Sequence, residues 1–560
     1  MLANPFLAYG AIALLQLRVI WNIWKYADLT NGDTSYYFID AASWAHGLHE
    51  NIVYYPGYSA IWGTILAVVH DVYAATIIHR VAIILAVALL VLALMRSLLG
   101  PVMGLLIAAW WAIVPTNYNV LYEVHLFGAV PILLAVLVVA RMPRRQGLGI
   151  SIAILLASAV LVRTELVAAA AILATAVAIY EMREIRGRRH AGRSSYIRAY
   201  AVPLVIALLL IGGAYARSYV QGNDAWSMLQ AKEQDNFCNA YAMAYQQRHP
   251  SLFTGNPFTE CTPLMQHDFG RSMPTIMQAS IKNPRAVAGF AAWNAQLLPG
   301  GLQVGLFGAS AFANDPGFVA VGENSTLALL LSIMLLLAIV AGLAILGRER
   351  QHSLRLLPSR TQWVLLTLAS VAAATMLVAL TSRPWGEYIF GLTICALVMS
   401  GVSVAVLLRQ FVGIRILAPI ALVTVLVLII ALPSAYRPGP RPIYERIQHL
   451  QVVRQRLQRH GSVLVAGESY NELCNYLAYS YQRICTPIFW PTLHTDTTGH
   501  ASAGQILDRA HATALYIDSG MLSDPLIAAL VTAPRAQGWQ QIAQGSGLGG
   551  PWRVLVPLGS

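Results

Sequence analysis

"SIAILLASAVLVRTELVAAAAILATAVAIYEMREIRGRRH", residues 151–190, decides what kind of chain this is. Two apolar runs flank a short "VRTE" turn, and a dense basic stretch follows the second run. Each run approaches the roughly 20 residues that a helix needs to cross a bilayer. A soluble helical hairpin would show a polar stripe at helical spacing, because one face must meet water. Neither run has such a stripe: nothing between residues 166 and 180 is charged. Arginines gathered directly after an apolar segment are how membrane orientation is written, since loops rich in Lys and Arg stay cytoplasmic. The stretch therefore reads as a transmembrane hairpin whose "VRTE" turn faces outward and whose basic end faces the cytoplasm.

The rest of the chain repeats this grammar. Hydrophobic residues make up 57% of the 560 and charged residues only 11%, far below the quarter usual in soluble proteins. The formal charge of +12 sits in short runs between apolar segments, which excludes a nucleic-acid reading. Segments of near-spanning length fall at 5–24, 75–95, 101–115, 125–140, 147–162, 165–181, 199–216, 325–347, 362–381, 388–408 and 416–433. Arg96, Arg141, Arg144, Arg145, "MREIRGRRHAGRSSYIR" (182–198), "GRERQHSLR" (347–355) and "RQFVGIR" (409–415) all follow even-numbered segments. About eleven transmembrane helices result, with the N-terminus cytoplasmic and the C-terminus outside. The apolar run 58–72 is short for a span, and counting it would invert every later cluster, so it is expected to lie in the outer interface.

The fold class expected is a polytopic α-helical membrane protein with a small external α/β domain. Residues 1–435 would form the transmembrane domain with outer loops 25–74 and 217–324, and 436–560 the soluble domain. In the latter, Ile443, Ile447, Leu450 and Leu457 keep helical spacing. "SVLVA" (462–466), "ALYID" (514–518) and "WRVLV" (552–556) read as strands. Cys238 and Cys261 fall in the long outer loop, and Cys474 and Cys485 in the tail. Both pairs are close in sequence and external, so both are expected to be disulfides. Cys395 stands alone within a span as filler.

Ionisable groups recur on the outer side. Asp33 and Asp40 lie in "NGDTSYYFIDA" (31–41), Glu123 and His125 in the second outer loop, Arg163 and Glu165 in the hairpin turn, and Arg383, Glu387 and Tyr388 in "RPWGEY" (383–388). Charges at that depth are costly unless paired or used. Structural readings stand beside functional ones. Asp33 suits the N-cap of an amphipathic helix with Tyr37, Ala41, Trp44 and Leu48 on one face. Arg163 and Glu165 could be a structural ion pair, and Arg383 could pair locally with Glu387. His46, His79 and His267 read as satisfied polar groups. No zinc, P-loop or serine-hydrolase signature is present.

"GDTSYYFIDAASWAHGL" (32–48), "YYPGYSAIWGTILAV" (54–68), "IIHRVAIILAVALLVLALMRSLLGP" (77–101), "YEVH", "VRTE" and "RPWGEY" together resemble the GT-C superfamily of integral-membrane glycosyltransferases. The resemblance is to the group with lipid A aminoarabinose transferases and protein O-mannosyltransferases. It implies a bacterial inner-membrane enzyme moving a sugar from a polyprenyl-phosphate donor to a hydroxyl of a glycan, lipid or protein acceptor on the outer face. It also implies membrane lipids as surroundings and no nucleic acid. The acceptor hydroxyl must lose a proton as it attacks, and Asp33 is the expected general base. The leaving phosphate needs cations, Arg383 first for its fork geometry, with Arg163, Arg271 and Lys282 behind it. Tyr36, Trp44 and Tyr388 could stack on sugar rings, while Asp40, Glu123, His125 and Glu165 complete the expected binding set. A divalent metal is compatible with this chemistry and not required by it. The alternatives are a lipid-linked-sugar transporter or flippase and an O-antigen polymerase or ligase.

Overall fold

The structure, a computed structural model, describes residues 4–23, 34–47, 56–69, 71–118, 123–187, 196–220, 224–258, 260–311, 325–352, 359–411, 414–432, 462–467, 485–495, 501–547 and 550–559. Residues 1–21, 50–58 and 81–436 make one compact unit, and 22–49, 59–80 and 437–560 a second.

All eleven apolar segments are helical. Among the described residues, eight helices are long and apolar enough to cross a membrane, from Ala74–Leu99 to Phe390–Leu408. Pro5–Val19, Pro101–Ile113 and Leu417–Ala431 are shorter, as is Pro56–Val69 in the run expected at the interface. Pro101–Ile113 shows why. Gly100 and Pro101 start it, and Val114 is extended ahead of Pro115, because a residue before proline is pushed out of the helical region. The chain is a polytopic helical membrane protein; eight of the expected eleven spans reach full length among the described residues.

One basic cluster is tied down at one end of the first unit. Arg144 and Arg145 bind Glu181 and Glu184 in a four-membered ion-pair network. Tyr196 accepts from Arg145 at 2.8 Å, Tyr200 donates to Glu181 at 3.0 Å, and Arg141 reaches Ser97 at 2.9 Å. Arg141, Arg144 and Arg145, from one short stretch, thus tie together helices that are distant in sequence.

The long loop is not loop-like. Ala225–Arg248, Cys261–Phe269, Ile276–Lys282 and Pro284–Phe307 form a helical insert. Phe237, Tyr241, Met265, Phe269 and Phe290 make its core, and Cys238 and Cys261 are disulfide-bonded, as expected, with Cα atoms 5.6 Å apart.

In the second unit, helix Thr34–Gly47 buries Tyr37, Phe38 and Ala41, largely the face read from the sequence. Phe38 meets Trp62 edge-on, and Trp62 stacks on His79. The C-terminal part holds a five-stranded sheet: β1 (Ser462–Ala466), β2 (Cys485–Phe489), β3 (Ala514–Ile517), β4 (Trp539–Gly547) and β5 (Gly550–Pro557). The order is β2-β1-β3-β5-β4, parallel across the first three, with an antiparallel β4–β5 hairpin. Val465, Leu515, Ile517, Ile527, Trp539 and Leu555 fill its core. The α/β reading holds, and β1, β3 and β5 were legible. The edge strands β2 and β4 were not: β2 contains Pro487, tolerated only at an edge, and β4 is Gln- and Gly-rich. The expected helix over 443–457 and Cys474 lie outside the described residues; Cys485 opens β2.

Candidate functional site

Three of the sequence-marked segments converge at the other end of the first unit. The "VRTE" turn is fixed by its backbone: the amides of Val162 and Arg163 both donate to Ser158 O, and Leu166 N donates to Arg163 O. Gly128 follows the short helix Glu123–Phe127 and lets Arg163 lie against it. A Cβ there would fall 2.6 Å from Arg163 Cδ.

The "RPWGEY" segment is braced by helix Pro284–Phe307. Asn294 Nδ2 donates to Leu380 O at 3.0 Å and to Ser382 O at 3.1 Å. These carbonyls end helix Ser359–Thr381 and would otherwise lack helical partners. Gly301 has no side chain to keep the Pro384 backbone away. At its C-terminal end the brace is itself held, Thr116 Oγ1 donating to Val304 O and Trp110 Nε1 to Leu306 O, both at 2.7 Å.

The side chains form one continuous cluster. Arg163 Nε pairs with Glu165 Oε1 at 2.5 Å, and its NH1 lies 3.1 Å from His125 Nδ1. His125 meets Tyr388 edge-to-face at 4.5 Å; Tyr388 stacks on Trp385 at 5.2 Å. The Arg163 guanidinium stands 5.8 Å from the Tyr388 ring, and that of Arg383 lies 4.4 Å over Trp385 and 5.2 Å from Phe258. Arginine faces laid on aromatic rings are attractive and keep the guanidinium edges for planar anions.

Glu387 completes the cluster and was undervalued in the sequence. It is 0% exposed, and neither carboxylate oxygen has a hydrogen-bond partner among the described residues. The local pair with Arg383 is therefore not formed as a hydrogen-bonded bridge. Burial pushes the Glu387 carboxyl up to about 7, while the charges of Arg163 and Arg383 pull the other way. A bulky neighbourhood of Trp and Tyr in "RPWGEY" was the available signal. Two arginines around a single unbonded carboxylate suit an anion rather than a cation, and among the described residues no three His, Cys, Asp or Glu side chains gather as a metal cage.

The other expected residues are placed as follows. Arg271 and Lys282 are exposed on the helical insert, outside the cluster. Asp40 belongs to the second unit, where burial pushes its carboxyl up to about 8 and leaves Oδ2 without a partner among the described residues. Trp44 is in the same helix, half-buried. Asp33 and the side chains of Tyr36, His46 and Glu123 lie outside the described residues.

No family model and no curated protein sequence matches the chain. Among solved structures, it is similar to the Archaeoglobus fulgidus oligosaccharyltransferase in complex with Zn and sulfate. The identity is 13% and the TM-score 0.42, over 98% of this chain and 72% of that one. The same oligosaccharyltransferase tethered to an acceptor peptide containing the NVT sequon gives 13% identity and a TM-score of 0.40, over 99% and 74%. At this identity no residue of the site can be carried across.

Proposed function

We propose that the chain is a GT-C-type membrane glycosyltransferase that moves a sugar from a polyprenyl-phosphate donor to an acceptor hydroxyl. The reaction would take place at the outer face of a bacterial inner membrane, with the N-terminus cytoplasmic. The observation that carries the proposal is the Arg163–His125–Tyr388–Trp385–Arg383 cluster. It gathers two arginines, Arg163 buried and Arg383 half-buried, at the end of the bundle opposite the basic network. A lipid phosphate needs fixed cations at the level of the head groups, and guanidinium forks match its oxygens. Cations aimed at the departing phosphate stabilise charge that develops as the glycosidic bond breaks. Tyr388, half-buried, is an aromatic ring of the kind on which sugars stack. Asp33, just ahead of helix Thr34–Gly47, is the proposed general base for the acceptor hydroxyl.

The transporter reading asks for charged groups near mid-membrane. Arg18 instead lies in the last turn of Pro5–Val19, which favours the transferase; Arg80 is buried in the third turn of Val72–Leu99.

Transfer from a polyprenyl-phosphate sugar in detergent tests the reading. Asp33→Asn preserves capping ability and removes the base, so a folded variant should lose a factor of about 10² to 10⁴ in rate. A folded Asp33→Asn protein with near-normal transfer would return Asp33 to a structural cap.

A further inference from the structure

We propose that the groove between helices Arg144–Leu161 and Val202–Val220 binds one anionic membrane phospholipid, with an acyl chain in the trough and the phosphate against Arg198 and Gln146. The proposal rests on the chain being a membrane protein and not on the transferase reading.

The groove has a volume of about 560 Å³, and its lining is apolar except at one end. Ile150 and Ile154 stand on one wall, Ile206 and Leu210 on the other. Ile206 and Leu210 are more than half exposed, so the trough opens sideways, toward lipid in a spanning bundle. From Arg198 to Leu210 it follows the helix for about 18 Å, at 1.5 Å per residue. That is close to half of a hydrocarbon core of roughly 30 Å, the depth of one leaflet. A chain of ordinary acyl length fills it, whereas a long polyprenyl chain would overrun it.

The polar end selects the head group. One turn of π-helix, Ile197–Ala201, leads into Val202–Val220. It packs on Gly149, where a Cβ would collide with Ala199 O. Ala199 is thereby buried, and Arg198 is left exposed at the rim, where Gln146 also lines the groove. Among the described residues, neither Arg198 nor Gln146 has a side-chain hydrogen bond or ion pair. Arg141, next to the lining residue Met142, meets Ser97 Oγ and Ala93 O rather than an acid. An arginine at the end of a span reaches for head groups in any case; here an apolar seat for the chain lies directly beside it. Basic pockets between spanning helices hold acidic lipid head groups in this way. The guanidinium and the amide both donate, and a phosphate diester only accepts.

The groove on the other side of the same helix supplies the contrast. Its volume is about 500 Å³, and its polar end is made by Glu181, Tyr196 and Tyr200. Glu181 is bonded to Arg144, Arg145 and Tyr200, so a phosphate arriving there would meet a carboxylate. That groove can seat a chain but not an anionic head.

Native mass spectrometry of the full chain tests this, with phosphatidylglycerol and phosphatidylcholine of equal chain length offered together. Phosphatidylglycerol should be retained about fivefold over phosphatidylcholine, the worth of one arginine near an anionic lipid. Arg198→Gln should abolish the preference and Arg198→Lys should keep it. Ala157→Phe, which fills the trough, should lower phosphatidylglycerol retention. Phosphatidylglycerol carrying a diazirine on its acyl chain should crosslink within 150–157 or 202–210. Equal retention of the two lipids by the wild type would overturn the proposal. So would a preference that survives both Arg198→Gln and Ala157→Phe, or crosslinks confined to 167–182 on the other groove. Displacement of phosphatidylglycerol by an equal concentration of a long polyprenyl phosphate would overturn the choice of occupant. If a variant melts early, the wild-type crosslinks decide alone. Absence of sugar transfer would leave all of these readouts unchanged.

Discussion

Replacing Gly128 by Ala should disable the cluster while leaving the protein folded. The added methyl would stand 2.6 Å from Arg163 Cδ, 3.1 Å from His125 O and 3.2 Å from Arg163 Cγ. Carbon atoms rest at about 3.5–4.0 Å, so the arginine must move by close to 1 Å. It has little freedom to do so, because Nε is tied to Glu165 and NH1 to His125. Overpacking of this kind costs about 1–3 kcal/mol. Gly128 has ordinary helical angles, φ −58 and ψ −23, so alanine recovers roughly 0.5–1 kcal/mol of backbone entropy. The net loss of stability should be about 0–2 kcal/mol. The functional loss should be larger. A displaced guanidinium that forfeits one charge-assisted hydrogen bond to phosphate loses about 1.5–3 kcal/mol, roughly a ten- to hundredfold drop in affinity. Calorimetry with a single-chain prenyl phosphodiester beside a thermal melt measures both. Gly212→Ala, where nothing lies within 4 Å, is the matched control and should change neither. A Gly128→Ala protein with wild-type affinity and melting point would show that Arg163 is not held as described, and the close approach would carry no functional weight.

Asn294→Ala should strip the donors from Leu380 O and Ser382 O. Leaving buried acceptors unmet costs about 1–3 kcal/mol; a lower melting point with faster amide exchange over 382–389 is expected, and unchanged exchange there would refute the brace. The Cys238–Cys261 bond closes a loop of 23 residues, which should stabilise the insert by about 3 kcal/mol. Non-reduced peptide mapping should recover the linked pair, and free thiols at both positions in protein from an oxidising compartment would contradict it.

The helices were legible because lipid demands long unbroken apolar runs, and every such run appears. Their lengths were less so: Pro101–Ile113 stops where Pro115 follows, a local restriction that a hydropathy reading passes over. The convergence of "YEVH", "VRTE" and "RPWGEY" could be anticipated from sidedness, since loops on one face must share a level. Glu387 could not. Next to Arg383 it looks like half of an ion pair, and only its complete burial in three dimensions leaves both oxygens without hydrogen-bond partners among the described residues. Arg271 and Lys282 were read as part of an outer loop, and that loop is a packed helical body with both residues exposed at its surface.

Helix Pro284–Phe307 is threaded like a screw through two bodies. Phe290 seats in the core of the insert, Asn294 grips the end of Ser359–Thr381 one turn later, and Gly301 receives the backbone of Pro384 two turns beyond. Each residue advances an α-helix by about 1.5 Å and 100°, so these grips are in register only at the native spacing. One residue added between Phe290 and Asn294 would turn the amide away from both carbonyls or lift the phenyl ring from its seat. The insert therefore cannot be exchanged as a cassette cut at residue 284. A graft between related chains would have to carry the whole thread, from the disulfide to Phe307, or preserve its pitch to the residue.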